Sequence, residues 1–279
     1  MKKLLLACCF LLVGPVLASA DEASGRIVSV GGAVTEILFA IGAGDRVVGN
    51  DTTSYYPPAA ANLPKVGYMR ALSAEGVLSL KPDSVIMTTD AGPGPVLEQI
   101  KAVGVKGITV KAAMSLEETL GNIEEISKAV GKADAGKALV DKLSADLAAL
   151  KKKIGSAGKK PRVLFVMQHG GSPMMTAGTK TSAAGIIELA GGINAVTGFE
   201  GYRPLTAEAA VAQKPDYILV TSHSMKSLGS ADQVLKSPGL SLTPAGKAGN
   251  IIEMDTLLLL GFGPRTVEAA TKLFDLTHP

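Results

Sequence analysis

Apolar runs of four to six residues alternate with helical stripes along most of this chain. Residues 27–30 read Ile-Val-Ser-Val, a short β-run, and 34–41 carry helical apolar spacing that ends at Gly42 and Gly44. Val47 and Val48 predict a further strand. Residues 74–80 predict a helix capped by Ser73 and stopped by Pro82 and Asp83, then a strand over 84–88. A helix over 95–103 and a strand over 108–110 complete another unit. The second half predicts a strand over 162–167, helices over 182–190 and 206–213, strands over 217–221 and 250–253, and a final helix over 264–275. Pro264 suits the first turn of that helix. Strands alternating with helices predict a largely parallel α/β sheet.

The two halves are written on one plan. Lys81-Pro-Asp-Ser-Val-Ile-Met87 returns 133 residues later as Lys214-Pro-Asp-Tyr-Ile-Leu-Val220, and Arg26-Ile-Val-Ser-Val30 returns as Arg162-Val-Leu-Phe-Val166 at an offset of 136. Each Arg-led strand is followed by two glycines, Gly31-Gly32 and Gly170-Gly171. This period is far longer than that of a solenoid repeat. It predicts paired α/β lobes, and paired lobes enclose a cleft. Between them, Leu139, Leu143, Leu147, Leu150 and Ile154 form one stripe of one helix. As one helix, residues 134–154 run about 32 Å, roughly a domain's width. It joins the lobes rigidly and permits limited opening. The expected organisation is a leader over 1–20, an N-terminal lobe over 21–133, the connecting helix over 134–156 and a C-terminal lobe over 157–279.

The leader reading rests on Lys2 and Lys3, an apolar stretch over 4–17 and a small-residue site at Ala18-Ser19-Ala20, which predict secretion with cleavage before Asp21. Both cysteines, Cys8 and Cys9, lie inside the leader, so the mature chain has no disulfide or thiolate chemistry. Leu5-Leu6-Ala7-Cys8 has the look of a lipoprotein site, but it leaves a very short apolar stretch and ranks second. Without Lys2 and Lys3 the chain has 26 basic and 25 acidic residues, which leaves no basic footprint for nucleic acid.

The long segment 50–72 reads as a loop, and a loop of that length in a compact domain is usually functional. It contains Val66-Gly67-Tyr68-Met69-Arg70. An arginine two residues from a phenol can favour the ionised oxygen, and phenolate is a hard ligand that suits ferric iron. By spacing alone, a tyrosine packed at a loop edge is the commoner outcome. His169 follows strand 162–167 and His223 follows strand 217–221, at the strand ends where open α/β sheets bind ligands. Position does not separate the two. No Gly-x-Ser-x-Gly elbow, dinucleotide fingerprint or His/Cys/Asp metal cluster occurs in the sequence. A secreted two-lobed enzyme, the alternative from a different class, therefore lacks a recognisable nucleophile and base.

These motifs resemble a known family. Arg26-Ile-Val-Ser-Val30, Val34-Thr35-Glu36 and Gly42-Ala-Gly-Asp-Arg-Val-Val-Gly49 look like the helical-backbone (class III) periplasmic substrate-binding proteins, as do Lys81-Pro-Asp83, Ile187-Glu188-Leu-Ala-Gly-Gly192 and Gly263-Pro264-Arg265. These serve ABC importers of vitamin B12, siderophores and haem. Leu63-Pro-Lys-Val-Gly-Tyr68-Met-Arg70 is similar to the haem-binding branch. The resemblance implies two Rossmann-like lobes, no enzymatic reaction, and ferric haem as transported ligand. It implies Tyr68 as axial iron ligand, with Met69 and Arg70 beside it. His169, in Phe165-Val-Met-Gln-His169-Gly-Gly, resembles the place of a second ligand in one subset. It leaves five- and six-coordinate iron both open, and one haem or two. It further implies a periplasmic monomer, an inner-membrane permease met through Glu36 and Glu188, and an outer-membrane haem receptor upstream. Vitamin B12 or a ferric siderophore is the alternative cargo.

Overall fold

The computed structural model describes residues 25–279, so the expected leader and its cleavage site lie outside the described residues. The first sheet is built from β1 (Ile27–Val30), β2 (Val47–Asn50), β5 (Ser84–Thr88) and β6 (Lys106–Val110), in the order β2-β1-β5-β6, all parallel. Two short strands, β3 (Gly67–Tyr68) and β4 (Ala71–Leu72), form a separate antiparallel hairpin. The second sheet contains β7 (Arg162–Met167), β8 (Met175–Ala177), β9 (Ile193–Asn194), β10 (Tyr202–Pro204), β11 (Tyr217–Thr221) and β12 (Ile251–Met254). Its order is β10-β8-β7-β11-β12, with β9 also on β7. Strands β7, β11 and β12 are parallel, and β8 and β10 extend the edge antiparallel. All four residues of β1 are buried, as a parallel strand covered on both faces requires.

The internal repeat has a structural cause. Lys81 and Lys214 take left-handed φ of 48° and 46°, each just past a helix C-terminus, and the following proline prevents the helix from continuing. The next residue then receives the first strand of its own lobe. Asp83 Oδ2 accepts the Arg26 N–H at 2.6 Å, and Asp216 Oδ2 accepts the Arg162 N–H at 2.8 Å. Both arginine side chains donate back to the helix end, Arg26 to the Leu80 carbonyl and Arg162 to the Gln213 carbonyl. Each copy thus closes strand, helix and turn with the same charged clasp. The helix N-termini repeat as well, with Ser73 and Thr206 accepting from the backbone N–H of Gly76 and Ala209.

One helix, Ala133–Ser156, stands between the two sheets in sequence and extends about 36 Å. Of its predicted stripe, Leu143 and Leu150 are fully buried, while Leu139, Leu147 and Ile154 pack at the margin. Gly136 lets this helix approach Leu116–Ala129, because a Cβ there would lie 2.0 Å from Ser127 Oγ. The same apolar cluster takes in Ile27 and Ile37 from one lobe and Phe165 and Ile187 from the other. The lobes therefore share a core along the connecting helix.

Three expectations change. The helix Leu116–Ala129, capped by Ser115, has no counterpart in the predicted elements. The final helix begins at Thr266, so Pro264 precedes it and does not occupy its first turn. Segment 50–72 is not one loop: it folds as the short helix Pro58–Ala61 and the β3–β4 hairpin.

Candidate functional site

Tyr68 sits in the β3–β4 hairpin, whose connecting residues are Met69 and Arg70. Gly67 makes the hairpin possible, since it has φ +108° and a Cβ would lie 2.8 Å from the Ala71 carbonyl oxygen. The turn is pinned to the loop after β5 by two backbone bonds, Gly92 N–H to Met69 O and Leu72 N–H to Gly92 O, both 2.9 Å. Met69 packs against the apolar cluster of Val66, Leu72 and Val85, so it anchors the hairpin tip in the lobe. That contact gives Met69 a structural role in holding the hairpin.

Tyr68 is 44% exposed and points a free edge at solvent. Its hydroxyl accepts a hydrogen bond from Arg70 Nη1 at 2.7 Å, and the other Arg70 nitrogen pairs with Asp90. Burial alone would lower the Arg70 pKa, but the Tyr68 hydroxyl and Asp90 raise it. Arg70 is therefore a fixed cation on a phenol oxygen, held from behind by a carboxylate. Its charge also reaches Tyr202 on β10 of the second lobe. Burial pushes the Tyr202 phenol up, against the opposing influence of Ser182 and the Ala183 backbone.

His169 follows β7 in a tight turn. Its N–H donates to Ser172 Oγ at 3.2 Å, and Ser172 N–H returns to the His169 carbonyl at 2.9 Å. Gly170 and Gly171, with φ of 51° and 80°, allow the reversal. His223 is the second residue of the helix Ser222–Leu228 that follows β11. Because β7 and β11 are neighbours, the two imidazoles meet, with ring centroids 5.0 Å apart. Partial desolvation, then the charge of His223, hold His169 below the ordinary imidazole range.

Glu36 departs from its expected role. It is 5% exposed, and both carboxylate oxygens accept from Arg265, at 2.6 and 2.8 Å. This removes Glu36 from the carboxylates open to a partner. Arg265 also lies 3.5 Å above the centre of the Tyr56 ring. Nearby, the Tyr55 hydroxyl accepts from Leu257 N–H at 2.7 Å and donates to Asp255 at 3.1 Å. Burial pushes the Tyr55 phenol well above its ordinary range. These contacts join the lobes and were invisible in the sequence, since Glu36 and Arg265 lie 229 positions apart. Glu188 is exposed, as expected for a surface carboxylate.

Tyr68, with its cation, and the His169–His223 pair are nitrogen and oxygen donors suited to a transition-metal centre. An open groove of about 540 Å³ lies elsewhere, along the connecting helix and the final helix, and holds neither donor set. Its lining of Leu150 and Val267 with Lys153 and Asp275 offers no such chemistry.

Two sheets on one connecting helix, with a phenol donor on one lobe and an imidazole pair on the other, define a two-lobed binding protein. The chain belongs to the periplasmic binding protein family, whose model matches residues 27–257. It is similar to the periplasmic heme-binding protein RhuT of Roseiflexus sp. RS-1, solved in apo form, at 40% identity and TM-score 0.89 over 91% of this chain and 98% of that one. It is equally similar, at 40% identity and TM-score 0.86 over 90% and 97% of the two chains, to the periplasmic heme-binding protein BhuT in complex with two hemes. Among curated relatives, an uncharacterized ABC transporter substrate-binding lipoprotein, YvrC of Bacillus subtilis, is 31% identical over 91% of this chain and 80% of that protein. The vitamin B12-binding protein of Vibrio parahaemolyticus is 28% identical over 76% of each chain.

Proposed function

We propose that the protein captures ferric haem between its lobes and delivers it to an inner-membrane ABC importer, without transforming it. The observation that carries this reading is the Tyr68–Arg70 pair, an exposed phenol whose oxygen accepts a 2.7 Å bond from a guanidinium. Iron(III) would take the phenolate oxygen as an axial ligand. Arg70 stabilises the negative charge that this oxygen keeps on the metal, which favours ferric over ferrous iron. Asp90 holds the guanidinium in place. His169 follows β7 in the second lobe, and would supply an imidazole for the opposite porphyrin face. The likeness to two solved haem-binding proteins supports the cargo.

Vitamin B12 is the second reading, carried by the B12-binding relative. Parallel titrations separate the two: haem should saturate the mature protein and cyanocobalamin should not. Saturation by cyanocobalamin alone would reverse the assignment.

The leader is cleaved after Ala20, and the mature protein is periplasmic and monomeric. Its two lobes are residues 21–133 and 157–279. An outer-membrane receptor supplies the haem. The importer is met by exposed carboxylates presented by both lobes. Glu188 meets that condition on the second lobe. On the first lobe Glu36 does not, whereas Glu75 and its repeat partner Glu208 are both exposed, in the first turn of corresponding helices. Charge reversal of Glu75 with Glu208, or of Glu188, should impair delivery to permease vesicles and leave haem binding intact. Normal delivery by all of these variants would remove carboxylate docking from the account.

A further inference from the structure

The tips of β7 and β11 carry more than one imidazole. His169 and His223 have ring centroids 5.0 Å apart at an interplanar angle of 33°. A metal bound through one ring nitrogen lies about 3.2 Å from the ring centre, given a metal–nitrogen bond near 2.1 Å. Two such rings at the tetrahedral angle place their centroids about 5.2 Å apart. The observed separation is therefore close to that of a chelating pair, and rotation about the two metal–nitrogen bonds accommodates the tilt.

Both backbones are fixed in this arrangement. Gln168 N–H donates to Ser224 Oγ at 3.1 Å, which ties the His169 turn directly to the His223 helix. His223 N–H donates to Thr256 Oγ1 at 3.2 Å, and Thr256 is tied in turn to Ser222. Among the described residues, no hydrogen bond engages a ring nitrogen of His169 or His223, whereas both ring nitrogens of His278 are engaged. Both side chains are exposed at the strand ends. Two anchored, exposed imidazoles whose centroids lie 5.0 Å apart are spaced as a ligand pair would be.

We infer that His169 and His223 form one two-imidazole site on the second lobe, in which either ring can take the single open axial position of an iron porphyrin and both together chelate a bare divalent transition-metal ion. The porphyrin part rests on the proposed haem function; the bare-ion part does not. The two ligands make opposite demands on the pair. A porphyrin iron already held by Tyr68 has one axial position left, so one histidine suffices. A bare ion needs both nitrogens at once.

The test uses the tag-free mature protein in four forms: wild type, His169→Ala, His223→Ala and the double variant. Each is titrated with ferric haem, read by absorption and electron paramagnetic resonance, and in the apo form with Zn²⁺, read by calorimetry. Circular dichroism confirms the fold of each. The expected haem result is a nitrogen-ligand signature in the wild type and both single variants, lost only in the double. The expected Zn²⁺ result is one site in the wild type, lost in each single variant. A single variant whose haem spectrum matches the double would show that the other ring is a bystander, and would overturn the inference. So would Zn²⁺ binding that survives both single substitutions, or a wild type lacking any nitrogen signature. Failure of haem to bind any form, with the Zn²⁺ pattern intact, would instead overturn the proposed function and leave the chelating pair standing.

Discussion

Replacing Arg265 by methionine leaves Glu36 buried and alone, and its cost can be worked from the structure. The two side chains meet at 2.6 Å and are 5% and 17% exposed. At an effective dielectric of about 20, unit charges at that separation attract by about 6 kcal/mol. Desolvation opposes this, and it is the larger influence on Glu36, whose pKa is raised in spite of the arginine. The pair's net worth is therefore small, while removal of one partner costs about 3–5 kcal/mol. Loss of the Arg265–Tyr56 contact adds to that figure. The pH dependence has a definite sign. A carboxyl whose folded pKa lies above its unfolded value binds more protons when folded, so stability falls as pH rises between those values. With Arg265 gone the folded value rises further. The penalty of Arg265→Met should then be smaller at pH 5 than at pH 8, changing by up to about 1.4 kcal/mol per pH unit inside that window. Urea unfolding of the apo protein at both pH values measures it. The double variant Glu36→Gln/Arg265→Met should recover most of the loss. A single variant costing under about 1 kcal/mol, or a penalty that grows on acidification, would refute the reasoning.

Other outcomes follow from the same contacts. Leu150→Ala, in the connecting helix and fully buried, should lower unfolding free energy by about 2–5 kcal/mol, seen as a fall in the urea midpoint at unchanged slope. Ser73→Ala and Thr206→Ala should each cost about 1 kcal/mol by the same assay, because they remove equivalent caps in the two lobes. Tyr55→Phe, which deletes bonds to Leu257 and Asp255, should cost about 1–3 kcal/mol and leave the secondary structure unchanged by circular dichroism.

What the sequence revealed depended on the range of each interaction. The Lys-Pro-Asp echo was legible because each copy is a local turn, and the clasp from Asp83 to Arg26 explains why Arg-led strands recur with it. The connecting helix was legible because Leu143 and Leu150 fall on one buried stripe. The helix Leu116–Ala129 was not identified, although Ser115 caps it and Ile123 and Ile126 are buried on one face. Strands β8 and β10 were missed because short edge strands are defined by their partners more than by their own pattern. At the site, the proximity of Tyr68 and Arg70 followed from their spacing. The inward Glu36 did not, because its partner comes from the other lobe. Nor did the meeting of His169 with His223, which depends on β7 and β11 being neighbours.

The central claim is that Tyr68 ligates ferric haem. Its most direct test is a spectrophotometric titration of ferric haem into the mature wild type and Tyr68→Ala. The wild type should bind saturably with a shifted Soret band. Tyr68→Ala should lose at least about tenfold in affinity, or 1.4 kcal/mol, and lose the phenolate contribution to the ferric spectrum. An unchanged spectrum and affinity in Tyr68→Ala would contradict the account.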